Sequence, residues 1–88
     1  MPPKRVLAPR TPRLGALGRA IEERRLGAGL SQEKLAARCN IHPTHISGLE
    51  RGARNPTFET LGQVASGLGT TVGQLATRAD EILEGQSG

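Results

Sequence analysis

Between Leu30 and Gly52 the chain sets out two helix starts and two helix stops in close succession. Ser31 offers a hydroxyl at a cap position, and Gln32-Glu33 follow in the first turn, where an acidic side chain suits the helix dipole. Asn40 ends that helix, because asparagine tolerates the left-handed conformation that stops a helix and reverses the chain. His42-Pro43 opens the next one. Proline at the first helical position loses nothing, since its missing N–H would be unpaired there anyway. Gly52 closes it. The pattern predicts two short helices joined by a tight turn, with Leu35, Ala36 and Cys39 of the first and Ile46 and Leu49 of the second directed inward.

The flanks continue the helical punctuation. Leu14, Leu17, Ile21 and Ala28 fall on one face of a preceding helix that starts at Leu14, and Gly27 and Gly29 end it. Arg54-Asn55-Pro56 reads as a loop. Thr57 caps a fourth helix whose inner stripe is Phe58, Leu61, Val64, Ala65 and Leu68, with Gly67 and Gly69 as stops. A fifth helix, from Val72 to about Leu83, lines up Val72, Leu75, Ala79 and Ile82. The expected fold is all-α, a compact bundle of five short helices over residues 14–84. A basic, proline-rich arm (1–13) precedes it, and residues 85–88 are expected to fray.

Composition bounds the possibilities further. A chain of 88 residues makes one small domain, and with one Phe and no Trp or Tyr its core must be built from Leu, Ile, Val and Ala. Such a core is thin, and pairing of two copies would reinforce it. The lone Cys39 excludes an internal disulfide and suits a reducing cytosol. No apolar run approaches the roughly 20 residues of a membrane span, and no signal-peptide pattern opens the chain. The expectation is a soluble, cytoplasmic protein without a membrane role.

Charge is uneven along the chain. Residues 1–54 carry 11 Lys or Arg against 4 Asp or Glu, a net +7, whereas residues 55–88 carry one against four, a net −3, together the +4 of the whole. A basic half beside an acidic half fits one face turned toward a polyanion, although solvated surface charge alone would give the same count. The arm, with Lys4, Arg5, Arg10 and Arg13 and no acid, could follow a phosphate backbone or lie in a minor groove, or serve as a solubilising tail.

Two short helices across a tight turn are the layout of a helix-turn-helix, whose second helix enters the DNA major groove. The second helix here meets the requirements. Thr44, His45 and Ser47 are short or planar polar groups on its outer side, Ile46 and Leu49 anchor it, and Arg51 and Arg54 follow where a phosphate backbone would pass. Gln32, with the free amides at the start of its helix next to Ser31, can bind a phosphate oxygen.

Residues from Leu17 to about Leu75 resemble the Xre-type helix-turn-helix family of lambdoid phage repressors and Cro proteins. The resemblance rests on Leu30-Ser31-Gln32, Leu35-Ala36, Ile41-His42, Thr44, Ile46-Ser47, Leu49-Glu50-Arg51-Gly52 and Arg54-Asn55-Pro56-Thr57. The run Ile46-Ser47-Gly48-Leu49-Glu50-Arg51 with Arg54-Asn55 is also similar to the controller proteins of restriction–modification systems. The resemblance implies a five-helix, lambda-repressor-like domain that regulates transcription as a homodimer on an inverted-repeat operator in double-stranded DNA. It implies base contacts at Pro43, Thr44, His45, Ser47 and Gly48, and phosphate contacts at Ser31, Gln32, Arg51, Arg54 and Asn55. Arg25 and Glu50 match a structural ion pair between the first and third helices. The dimer interface is expected at the C-terminal helix. Pro43 and Gly48 stand where many relatives carry long polar side chains, so direct base readout should be modest and DNA shape and dimer spacing should contribute more.

Other chemistries fit less well. Cys39, His42 and His45 have metal-like spacing but lack the fourth ligand of a structural zinc site, so no metal or other cofactor is expected. Ser31 and Thr57 read as caps, and no nucleophile–base pair comes with a cleft, which argues against an enzyme. A second reading is an antitoxin or other protein-interaction module. The few residues outside the helical domain leave little room for the long partner-binding tail such modules use.

Overall fold

The computed structural model describes residues 8–87, and within them the chain forms α1 (Pro12–Gly27), α2 (Gln32–Cys39), α3 (Pro43–Glu50), α4 (Phe58–Gly67) and α5 (Val72–Ser87). Each expected start and stop in the central segment is present. The Ser31 hydroxyl accepts from the Lys34 amide at 3.1 Å, the His42 Nδ1 accepts from the Thr44 amide at 3.1 Å, and Thr57 Oγ1 accepts from the Thr60 amide at 3.0 Å. Such caps each stabilise by about 0.5–2 kcal/mol, a large share of what holds helices of two turns. Asn40 sits at φ 56°, ψ 45° and turns the chain from α2 into α3.

Ile21, Leu35, Ile46, Val64 and Leu75 are the largest fully buried side chains, drawn from all five helices. Burying one such side chain contributes about 1.5–3 kcal/mol. Around them lie Ala16, Ala20, Leu30, Ala36, Cys39, Leu49, Ala65, Ala79 and Ile82, an aliphatic core as composition requires. α1 packs on α3 and α5, while α2 packs on α3 and α4. No helix among the described residues is long and apolar enough to cross a membrane.

Several elements differ from the sequence expectation. α1 begins at Pro12, not Leu14, because Thr11 caps it through the Leu14 amide (3.0 Å) and Pro12 takes the permissive first position. The expected arm therefore reaches no further than residue 11, and its residues 1–7 lie outside the described part. The buried face of α1 is Gly15, Ala16, Gly18, Ala20, Ile21 and Arg25, whereas Leu14 and Leu17 are half-buried and Ala28 is exposed at the C-cap. At Gly18 the small residue is required because the end of α3 comes very close. A methyl group at Gly18 would lie 2.4 Å from the carbonyl oxygens of Leu49 and Glu50.

Phe58, expected inside, is 77 % exposed, since as the first residue of α4 it points away from the stripe formed by Leu61, Val64, Ala65 and Leu68. α5 runs on to Ser87 instead of ending near Leu83, so residues 85–87 extend the helix, and Gly88 lies outside the described residues. Its apolar residues Leu75, Ala79 and Ile82 are buried within this domain. α5 shows solvent the polar residues Gln74, Thr77, Arg78, Asp80, Glu81 and Glu84 together with Ala76, while Val72 and Leu83 are half-buried.

Candidate nucleic-acid interface

The third helix is held at its C-terminal end by a buried ion pair. Arg25 of α1 donates through Nε to Glu50 Oε2 at 2.6 Å and through Nη2 to Glu50 Oε1 at 3.0 Å. Its Nη1 donates to the Leu30 carbonyl at 2.8 Å, just before α2 begins. The side chains are only 10 % and 3 % exposed. The Glu50 hydrogen bonds raise the Arg25 pKa above its ordinary value, so the guanidinium stays charged at any working pH. One bidentate contact thus ties α1, the approach to α2 and the end of α3.

Glu50 has a further partner that sequence spacing did not indicate. The Gln32 side-chain amide donates to Glu50 Oε1 at 2.9 Å. Gln32 is half-buried at the first position of α2, 18 residues away along the chain, a separation with no local signal to find it by. A primary amide has two N–H donors, so one is fixed on Glu50 and the other stays available beside the start of α2.

The exposed side of α3 carries no Asp, Glu, Lys or Arg, because its one such residue, Glu50, is buried. Thr44 is exposed, His45 and Ser47 are half-buried, and Pro43 is half-buried in the first turn. The Ser47 hydroxyl accepts from Arg51 Nη1 at 2.6 Å, which folds the Arg51 side chain back along the helix. Gly48, grouped from sequence with the base-facing positions, is buried and has no side chain to offer. A methyl group built there would lie 2.9 Å from Cγ and 3.0 Å from Nε of Arg54. The Arg54 side chain therefore crosses α3 where a long residue at position 48 would project.

Arg51, Arg54 and Asn55 are all exposed beside the end of α3. Among the described residues the ion pairs involve Arg13, Arg25 and Arg78, and neither Arg51 nor Arg54 meets a carboxylate. Ser31, expected near a phosphate, uses its hydroxyl as the cap of α2 and remains exposed. Cys39 lies in the α2–α4 contact, its thiol donating to the Val64 carbonyl at 3.9 Å, and burial pushes its pKa up. His45 lines the outer cleft near Arg51 and Arg54 instead. The arrangement is a short helix anchored on one side, with polar groups on the other and, at its end, guanidinium groups that meet no carboxylate among the described residues. Such a surface can accept base edges between phosphates.

Known proteins share both sequence and shape with this chain. The helix-turn-helix family profile matches residues 21–75. Control protein C.BamHI of Bacillus amyloliquefaciens is 40 % identical over 53 residues, covering 59 % of this chain and 65 % of that protein, just under two thirds of its length. The clp gene regulator ClgR of Corynebacterium glutamicum superposes with a TM-score of 0.82 at 29 % identity, covering 85 % of this chain and 80 % of that one. The restriction–modification controller protein C.Esp1396I, solved as a tetramer with its natural 35 base-pair operator, superposes with a TM-score of 0.74 at 31 % identity, covering 81 % of this chain and 93 % of that one. This chain belongs to the Xre-type helix-turn-helix family and is related to its restriction–modification controller proteins.

Proposed function

We propose that the protein is a homodimeric transcriptional regulator that binds an inverted-repeat operator, acts in the cytoplasm, and controls a restriction–modification operon. The observation that carries this reading is the surface of α3: Thr44, His45 and Ser47 exposed to varying degrees, no charged side chain between them, and Arg51 and Arg54 unpaired at its end. Thr44, His45 and Ser47 face base edges. Gln32, Arg51, Arg54 and Asn55 hold phosphates, and the Arg25–Glu50 pair sets the angle of α3. Its relatives are DNA-binding regulators, which supports a binding role rather than catalysis. A two-fold dimer presents two copies of α3 about 34 Å apart, one turn of the duplex.

Selection of bound duplexes from random DNA tests this. The expected product is an inverted repeat with half-sites one helical turn apart, and recovery of no repeat refutes the dimeric regulator. Thr44→Ala should change preference among selected sites more than it changes binding to unrelated DNA. Arg54→Ala should weaken binding to all sequences and flatten the salt dependence by about one unit of slope.

A further inference from the structure

We infer that Arg10, from the segment ahead of α1, is a third arginine of a phosphate site at the end of α3, and that its ligand is a phosphodiester of the DNA backbone. The inference rests on the DNA-binding reading above. The Arg10 amide donates to the Gly52 carbonyl at 2.9 Å, directly after the helix that faces the bases. Pro9 is seated between the start of α1 and the turn after α3. A methyl group at Gly15 would lie 2.7 Å from Pro9 Cγ, and one at Gly52 would lie 2.7 Å from Pro9 Cβ. Two glycines therefore make the seat, and Arg10 leaves it in a fixed place.

From that place Arg10 lines a cleft of about 470 Å³ together with His45, Arg51, Arg54, Asn55 and Thr60. No Asp or Glu lines the cleft, and none of its three arginines is ion-paired among the described residues. The neighbouring Arg13 behaves oppositely, pairing with Asp80 at 3.3 Å. Three like charges held in one concavity repel each other, and a bound polyanion removes that cost. Neutral donors complete the site. The Thr57 and Thr60 hydroxyls, both on the cleft, share one hydrogen bond of 2.9 Å, which leaves one hydroxyl proton of the pair for an incoming oxygen. Because the cleft adjoins the C-terminal end of α3, the phosphate it takes is one flanking the groove that α3 enters.

The test compares Arg10→Gln with Arg13→Gln, which removes the same charge from outside the cleft, in binding a mixed-sequence 30-base-pair duplex across salt concentrations. One lost phosphate contact lowers the slope of log affinity against log salt by about 0.9. The affinity advantage of the wild type over Arg10→Gln should then shrink about 3.5-fold between 50 and 200 mM salt. Arg10→Lys should keep most of the slope, and circular dichroism should show all variants equally helical. Equal slopes for the wild type and Arg10→Gln, or equal changes in Arg10→Gln and Arg13→Gln, overturn the assignment while leaving the DNA-binding reading intact. A wild type that binds no duplex at low salt overturns both. A separate titration with inorganic phosphate at matched ionic strength distinguishes the sources. Saturable binding of free phosphate that depends on Arg10, with an unchanged duplex slope, assigns the cleft to a small anion and overturns the backbone contact.

Discussion

Glu50→Ala should destabilise the domain strongly, because it removes a buried carboxylate. The substitution removes the acceptor of three N–H groups: Nε and Nη2 of Arg25 and the Gln32 amide. What remains for the Arg25 guanidinium is the Leu30 carbonyl and a Glu22 carboxylate 4.0 Å away on the surface. Stranding one member of a buried pair costs about 3–5 kcal/mol. Domains of this size hold only about 5–15 kcal/mol in total. A change of 1 kcal/mol shifts the melting temperature of such a domain by about 4–8 °C, so the midpoint should fall by roughly 12–40 °C. Gln32→Ala loses one half-buried hydrogen bond and should cost only about 1 kcal/mol. The double variant Arg25→Met, Glu50→Leu removes both charges and should return to within about 2 kcal/mol of the wild type. Urea and thermal unfolding followed by far-ultraviolet circular dichroism, at one fixed protein concentration, measures all three. A Glu50→Ala protein within about 1 kcal/mol of the wild type, or a double variant as unstable as the single, would refute the reasoning.

Gly18→Ala should destabilise by about 1–3 kcal/mol, because its methyl group meets two backbone oxygens that cannot rotate aside. Gly62→Ala, in open space within α4, should instead stabilise by about 0.5–1 kcal/mol, and the two together in one denaturation series separate packing from helix propensity. The Cys39 thiol is held above its ordinary 9.0 by burial, so it stays neutral in the folded protein where the unfolded chain ionises. Stability should therefore decline as pH rises above 9.0, and Cys39→Ala should abolish that decline even though it lowers stability overall. Hydrogen bonds from Arg78 pull Glu23 below 4.5, so its contribution is present above that value and lost as pH falls through the lowered folded pKa. For an exposed pair that share is at most about 1 kcal/mol, and Glu23→Gln should remove it from the acid limb of the pH–stability curve.

The central segment was legible because its signals are local. Ser31, Asn40, His42-Pro43, Gly52 and Thr57 act on backbone groups within a few residues, so the chain displays them in order, and the caps form as those residues require. Periodicity was less reliable where burial depends on a distant neighbour. α1 turns Gly15, Ala16 and Gly18 inward and leaves Leu14 and Leu17 half-buried, since Gly18 admits the end of α3 and Gly15 admits Pro9. Hydrophobic identity alone misplaced Phe58, whose position at the first turn of α4 decides its exposure. The Arg25–Glu50 pair was readable only through family resemblance. The tie from Gln32 to Glu50 and the seating of Arg10 on Gly52 depend on tertiary placement, and no spacing along the chain encodes them.

The bare backbone at Gly48 has a consequence for substitutions in this domain. The space above it holds one side chain, and at present the loop supplies it through Arg54. A longer residue at position 48 would occupy the same volume and displace Arg54, exchanging a contact delivered from the loop for one delivered from the helix. A variant that lengthens residue 48 must redirect residue 54, so a substitution at position 48 also moves the Arg54 guanidinium.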